Sequence, residues 1–119
     1  MNVQEFNTFK KYIVKWRNKF GLTDWYLSVE MNDSNQDEYI IKDSNTCETV
    51  YDFQNRWAQV HIDKNLEGVT NKTLEATAIH EIIELSYADI REMLCKFYNR
   101  DIVDKWIHEQ IRRVENALK

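Results

Sequence analysis

The spacing of apolar residues changes along this chain, and the changes set the order of its secondary structure. Near the amino terminus apolar residues recur at steps of three and four, which predicts a helix with one apolar face. The residues are Val3, Phe6, Phe9, Ile13, Trp16 and Phe20. Gly21 follows directly, and glycine is typical of the left-handed position that ends a helix. A helix that ends at Gly21 is therefore expected.

The middle of the chain alternates apolar and polar residues, which predicts half-buried strands. One strand is expected at residues 25–31, followed by a polar turn at 32–37 and a short strand at 38–42. Two further strands, at 47–53 and 58–62, are expected to form a hairpin around Gln54-Asn55, with Asn55 at positive φ. Residues 64–69 connect this hairpin to the next helix.

Two helices are predicted in the remainder of the chain. Thr70 or Asn71 caps the first, with Glu75 supporting its start, and its pattern continues to about Tyr98. Asp101 then caps a last helix, whose apolar residues are Val103, Trp106, Ile107, Ile111, Val114 and Leu118. The prediction is a single α+β domain over residues 1–119: a helix, three to four antiparallel strands, then two helices.

Charge and composition exclude several classes of protein. The net charge is −4, from 16 basic and 20 acidic residues, which argues against direct nucleic-acid binding through phosphate neutralisation. No apolar run approaches the ~20 residues of a membrane span, and no signal-peptide core is found at the amino terminus. Cys47 and Cys95 have no paired spacing and are expected to be free thiols in a reducing cytoplasm.

The central helix carries the sequence His80-Glu81-Ile82-Ile83-Glu84. His80 and Glu84 lie about 40° apart on one helix face, so both side chains can reach one ion. Zinc accepts imidazole nitrogen and carboxylate oxygen, and catalytic sites usually use three protein ligands and a water. Glu81 lies about 100° from His80, which suits a general base beside the activated water. The spacing predicts a zinc site with Glu81 as catalytic residue.

The third ligand has to come from another element. The last helix places Asp104, His108 and Glu115 along one flank of its apolar face, and Glu109 on the other. His108 is the preferred candidate because it would complete a set of two histidines and one carboxylate. Glu109 remains the alternative.

Further polar residues follow His80 and Glu84 along the same helical stripe. Tyr87 and Arg91 are candidate contacts for substrate or for a developing oxyanion. A competing interpretation is an ordinary solvated face, in which Arg91 pairs with Glu84 and fills the space of the ion. His61 is expected to be a structural or surface histidine.

Four segments of the chain carry a resemblance to a known family. They are Trp25-Tyr26-Leu27-Ser28-Val29, Ala58-Gln59-Val60-His61-Ile62, the helix around His80-Glu81, and residues 108–118. In order and length they resemble the small SprT-like, or minigluzincin, metallopeptidases, particularly those of phages and prophages. The resemblance implies a zincin-like fold, a metal on the central helix, and a third ligand, His108 or Glu109, from a later helix. The family has histidine where this chain has Glu84.

Two functions follow from the motif and the resemblance. The first is a zinc-dependent metallopeptidase that hydrolyses a protein or peptide substrate with Glu81 as general base. The alternative is a catalytically inactive zincin-like phage protein that binds or inhibits a host protein in the host cytoplasm, such as a defence nuclease. The acidic surface would complement a basic groove on such a partner.

Overall fold

The computed structural model describes residues 1–33 and 47–119. Their elements in chain order are α1 (Val3–Lys19), β1 (Tyr26–Asn32), β2 (Cys47–Asp52), β3 (Trp57–Asp63), α2 (Asn71–Ser86), α3 (Ala88–Leu94) and α4 (Arg100–Ala117). The predicted α+β class and its order of elements are confirmed. The predicted strand at 38–42 and most of the predicted turn at 32–37 lie outside the described residues. Within the described ranges, every helix is too short or too polar to cross a membrane.

The three described strands form one mixed sheet in the order β1-β3-β2. β2 and β3 pair antiparallel as predicted, with Thr49 opposite Val60. β1 and β3 pair parallel, with Val29 opposite Val60, so the prediction of an entirely antiparallel sheet is wrong. The reason is the docking of the hairpin, which places its second strand beside β1 and leaves β2 at the edge. Alternation within a strand reports its buried face but not its partner.

The core lies between one face of the sheet and the helices α1 and α2. Val60 and Ile62 of β3 pack against Phe9 of α1 and against Ala78 and Ile82 of α2, and each is at most 1% exposed. A second cluster joins the opposite side of α2 to α4; its buried members are Ile83, Val103, Ile107 and Ile111. Because α2 is packed on both sides, the position of its polar motif is fixed relative to both β2 and α4.

The end of α1 follows the prediction from Gly21. This residue has φ +68°, and its N–H donates to the carbonyl of Asn18 at 3.1 Å. The N–H of Leu22 donates to the carbonyl of Arg17 at 3.0 Å. The two bonds form a Schellman motif, in which the left-handed residue lets the chain satisfy the last helical carbonyls and turn towards β1.

The hairpin turn differs from the prediction in its left-handed residue. Arg56, not Asn55, has positive φ, at 56°. Asn55 is instead held by Asp52, which accepts from its backbone N–H at 3.1 Å and from its side-chain amide at 2.8 Å. The loop is therefore longer than a two-residue turn, and its left-handed residue comes last, as is common in longer hairpin loops. Arg56 donates to Asp89 at 2.6 Å.

The start of α2 is confirmed at Thr70. Its hydroxyl oxygen accepts from the N–H of Thr73 at 3.2 Å, and the Thr73 hydroxyl oxygen accepts from the N–H of Thr70 at 2.9 Å. Glu75 does not serve the cap; it accepts from Lys15 at 2.8 Å and from Trp16 at 3.0 Å. The carboxylate therefore joins α2 to α1.

The start of α4 lies two residues earlier than predicted. Asn99, not Asp101, is the cap, and its side-chain oxygen accepts from the N–H of Asp101 at 2.8 Å. Both residue types are good caps, so the local composition alone does not distinguish them.

The prediction of one continuous helix to about Tyr98 is wrong, because the helix is interrupted at Tyr87. Tyr87 has φ −90° and ψ 0°, and it separates α2 from α3. The Ser86 hydroxyl donates to the carbonyl of Ile83 at 2.5 Å, which competes with regular helical bonding at this point. After the interruption Met93 is 54% exposed and Phe97 is 78% exposed, whereas a continuous helix would place Met93 on the same face as Ile82.

Candidate metal centre

Three side chains of α2 bring ligand atoms together. One donor atom each from His80, Glu81 and Glu84 lies within 4.8 Å of the others. Nε2 of His80 is 3.8 Å from Oε2 of Glu84, one helical turn later. The predicted convergence of His80 and Glu84 is thus present, and the group can hold a metal ion.

His80 is oriented by a carboxylate from another helix. Its Nδ1 lies 3.3 Å from Oε1 of Glu115 on α4. An ionised carboxylate only accepts hydrogen bonds, so Nδ1 is the donor in this contact, and in the neutral ring the lone pair is then on Nε2. That lone pair belongs to the nitrogen on the Glu84 side. Histidines that bind metals are commonly held in this way by a carboxylate on their other nitrogen.

The dimensions of the pair fit a zinc ion. With zinc bonds of about 2.0–2.1 Å, two ligands of a tetrahedral site lie about 3.4 Å apart. His80 and Glu84 are 3.8 Å apart, and both side chains are 37% exposed. A shift of the Glu84 carboxylate oxygen by a few tenths of an ångström towards His80 closes the difference. Imidazole nitrogen with carboxylate oxygen is a donor set that zinc accepts.

Glu81 is buried beside the pair, with 4% of its surface exposed. Its Oε2 accepts from the hydroxyl of Thr49 on β2 at 2.5 Å, and it also hydrogen-bonds with the thiol of Cys47. Burial raises the pKa of Glu81 from 4.5 to about 7, and the charge of Glu84 adds to this effect. The bond from Thr49 and the proximity of His80 oppose it. The carboxylate can therefore take up and release a proton near neutral pH.

The pKa of Glu84 is also raised. Burial is the largest cause, and electrostatic interactions with His80, His108 and Arg91 act in the opposite direction. Two carboxyl groups on one helix turn would repel each other if both were ionised without a cation. A divalent ion held by His80 and Glu84 would reduce this repulsion, because it adds positive charge beside both carboxyl groups.

The cluster lies in a cleft of about 840 Å³ lined by residues of β2, α2, α3 and α4. β2 forms one wall, α2 forms the floor and α4 forms the other wall. The side chains that line the cleft include Thr49, Tyr51, His80, Glu81, Glu84 and His108. The volume is within the range of cavities that bind small ligands or part of a peptide.

Arg91 forms part of the cleft but is directed away from the ion site. Its guanidinium donates to both carboxylate oxygens of Asp104 on α4, at 2.7 and 3.4 Å, and to the hydroxyl of Tyr51 at 3.0 Å. Its closest contact with a further acid is 3.7 Å, to Glu92. The competing interpretation, in which Arg91 pairs with Glu84 and fills the site, is not what the structure shows. Arg91 instead joins β2 and α4 across the cleft.

The structure places the other predicted site residues at different distances from the cluster. His108 lines the same cleft, and its Nδ1 donates to the backbone carbonyl of Asp104 at 2.7 Å, but it is outside the close group of three. Glu109 is exposed and does not line the cleft. His61 is buried, with its Nδ1 2.6 Å from Oδ1 of Asn32, in agreement with a structural role.

Tyr87 is not positioned as predicted for a contact with substrate. Its ring packs edge-on against Trp106, with centroids 6.4 Å apart, and it belongs to the apolar cluster between α2 and α4. Of the two predicted contacts, only Arg91 reaches the cleft.

Three polar side chains around the cluster are not singled out by the sequence pattern. Glu115 is predicted only as a flanking residue of α4, and Thr49 and Tyr51 simply fall within the strand predicted at 47–53. A signal did exist for the strand residues: Cys47, Thr49 and Tyr51 share the face that includes the buried positions of the sheet. A hydroxyl on such a face requires a hydrogen-bond partner.

The cleft thus combines two potential metal ligands, a buried carboxyl group that titrates near neutrality, and a carboxylate that orients the histidine. This set of nitrogen and oxygen donors suits borderline divalent ions such as zinc. Comparison of the chain with protein-family models, curated proteins and solved structures finds no match.

Proposed function

We propose that the protein is a zinc-dependent hydrolase that cleaves peptide bonds, of the SprT-like or minigluzincin kind. The observation that carries the proposal is the orientation of His80. Glu115 occupies its Nδ1, while its Nε2 lies 3.8 Å from the Glu84 carboxylate. On an ordinary solvated helix face an acidic residue next to this pair would be exposed, whereas only 4% of the Glu81 surface is exposed.

His80 and Glu84 hold the ion, and His108 is the third ligand in the proposal. His108 lines the same cleft, and the bond from its Nδ1 to the Asp104 carbonyl leaves Nε2 as its ligating atom. Zinc in such a site supplies Lewis acidity, which polarises the substrate carbonyl and makes a water molecule more acidic. The carboxylate ligand makes this effect weaker than a set of three histidines would.

Glu81 serves as general base and then as general acid. It takes a proton from the attacking water and passes it to the leaving amine nitrogen. A base works best when its pKa is close to the working pH, and burial raises the pKa of Glu81 to about 7. The bond to Thr49 occupies Oε2, which favours Oε1 as the oxygen that takes the proton.

Tyr51 and Arg91 form the polar wall opposite the ion site. Arg91 donates to the Tyr51 hydroxyl at 3.0 Å, and that hydroxyl donates to Glu92 at 3.2 Å. Negative charge that develops on a substrate oxygen is stabilised by donors already fixed in place. In the proposal the Tyr51 hydroxyl turns its one proton from Glu92 to this oxygen, while Arg91, held by Asp104, keeps donating to the hydroxyl oxygen and so supports it.

The position of β2 supports a peptide as the substrate. Within the described part of the chain β2 is an outer strand of the sheet, and four of its residues, Cys47, Glu48, Thr49 and Tyr51, line the cleft. An extended peptide can pair with the edge of a sheet through backbone hydrogen bonds. Such a peptide would pass along the cleft with one bond beside Glu81.

The test combines metal analysis with a cleavage assay. Protein purified without chelator is analysed for zinc, then incubated with a fluorogenic peptide library with and without added zinc. We expect one zinc per chain, cleavage by the wild type, and loss of cleavage with retained zinc in Glu81→Gln. Glu109→Gln is the matched control, since Glu109 is exposed and outside the cleft. Absence of zinc binding under zinc excess, or equal cleavage by Glu81→Gln, overturns the proposal.

A further inference from the structure

Glu81 is bound by the strand that forms the opposite wall of its cleft. The Thr49 hydroxyl donates to Oε2 of Glu81 at 2.5 Å, across 32 residues of sequence. When Glu81 is ionised, this bond joins a hydroxyl to a charged oxygen and is stronger than a bond between neutral groups. Thr49 therefore contacts the proposed general base without being a metal ligand.

The environment makes this bond decisive for the orientation of Glu81. A glutamate side chain has three rotatable bonds, and the Glu81 carboxyl is almost completely buried. The other β2 partner, the Cys47 thiol, is a weak donor. Among the described residues of the sheet, the Thr49 hydroxyl is thus the strong side-chain donor to this carboxylate.

The position of Thr49 is itself well determined. It lies opposite Val60 in the antiparallel pair of β2 and β3, on the side where Val60 packs against α2. A β-branched residue on a strand has few side-chain conformations, so its hydroxyl points in a defined direction. The strand register therefore sets where the carboxylate of Glu81 is held.

We propose that Thr49 is the positioning residue of the general base. It fixes Oε2 of Glu81, so that Oε1 is the oxygen presented to the attacking water. The proton moves from water to Oε1 and then to the leaving nitrogen, while Thr49 keeps its own proton throughout. This inference rests on the proposed hydrolase function and assigns to β2 a part in the proton transfer itself.

The test compares two substitutions at position 49 with one at a control position. Thr49→Val removes the hydroxyl and retains the shape, whereas Thr49→Ser retains the hydroxyl. Thr23→Val is the matched control, because Thr23 is exposed and does not line the cleft. Zinc affinity, kcat, KM and the midpoint of thermal unfolding are measured for each variant.

We expect kcat of Thr49→Val to fall about tenfold to a hundredfold, the range in which small displacements of a reacting group reduce rates. KM and zinc affinity should remain within about twofold, since neither the cleft nor the ligands change, and Thr49→Ser should recover most of the rate. A crystal structure of zinc-free Thr49→Val should show the Glu81 carboxylate displaced, while in Thr49→Ser it is retained.

The failures of the two proposals are distinguishable. A wild type that binds zinc and cleaves peptide, with an equally active Thr49→Val, overturns the role of Thr49 and leaves the hydrolase function intact. An unmoved Glu81 carboxylate in the Thr49→Val structure does the same. A wild type without cleavage overturns both.

Discussion

Nδ1 of His80 lies 3.3 Å from Oε1 of Glu115, a contact that joins two helices across 35 residues of sequence. Because Glu115 takes the proton-bearing nitrogen, the lone pair of the imidazole is on the nitrogen nearer Glu84. The His80 imidazole is thereby oriented before any ion binds, so less side-chain conformational freedom would be lost on binding. Glu115 is thus as much a part of the proposed metal centre as the residues of the motif.

The first prediction concerns this contact. Glu115→Ala should weaken zinc binding by about 10–100-fold, the usual effect of losing the carboxylate that orients a metal-binding histidine. Glu109→Ala, on an exposed position of the same helix, should leave the affinity unchanged. Competition with a chromogenic chelator measures both affinities. Equal affinities for the two variants would show that Glu115 does not orient His80.

The second prediction concerns the stability of the metal-free protein against pH. Burial raises the pKa of Glu81 from 4.5 to about 7, so the folded state binds more protons than the unfolded state between these values. The contribution of this group is fully present below about pH 4.5 and is lost as pH rises through 7. The loss is on the order of 2–3 kcal/mol in the free energy of unfolding.

Urea unfolding at pH 5 and pH 8, in the presence of chelator, measures this loss. Glu81→Gln cannot titrate at this position, so its stability should change less between the two pH values than that of the wild type. The same change in both proteins would show that Glu81 titrates normally in the folded state.

The third prediction concerns Arg91, which joins the walls of the cleft. Arg91→Lys should lower the free energy of unfolding by about 1 kcal/mol, because an ammonium cannot reproduce the fork of donors to Asp104 and Tyr51. Arg113→Lys, at an exposed position of α4, is the control and should change stability little. Chemical denaturation provides both values. An Arg91→Lys variant as stable as the wild type would contradict the role of this network.

The fourth prediction tests the interruption of the helix at Tyr87. Ile82 is fully buried between α2 and the sheet, so Ile82→Ala should cost about 2–5 kcal/mol of stability. Met93 is 54% exposed on α3, so Met93→Ala should stay within about 0.5 kcal/mol. A continuous helix would bury Met93 on the same face as Ile82. A large cost for Met93→Ala would therefore argue for the continuous helix.

Local chemistry explains which features of the fold were predictable. Gly21 ends α1 because a left-handed residue there costs glycine nothing, and Thr70 starts α2 because its hydroxyl can reach the N–H of Thr73. The interruption at Tyr87 was missed because neither glycine nor proline marks it. Its local cause, the bond from Ser86 to the Ile83 carbonyl, is common in helices that continue.

The candidate site likewise has features that follow from one segment of sequence and features that depend on packing between distant elements. The convergence of His80 and Glu84 follows from helical geometry alone, so one segment of sequence was enough to predict it. The roles of Glu115 and Thr49 depend on how α4 and β2 pack against α2, which involves 35 and 32 residues of separation. The parallel pairing of β1 with β3 has the same origin, because strand alternation does not report which strand is its neighbour.

The central claim is that His80 and Glu84 together hold a zinc ion, and isothermal titration of the metal-free protein with zinc tests it most directly. The account predicts one zinc per chain in the wild type, with the affinity reduced more than about a hundredfold in His80→Ala and in Glu84→Ala, beyond the effect of losing an orienting residue. Glu109→Ala should bind as the wild type does. A wild type that binds no zinc, or a Glu84→Ala variant that binds it equally well, would contradict the account.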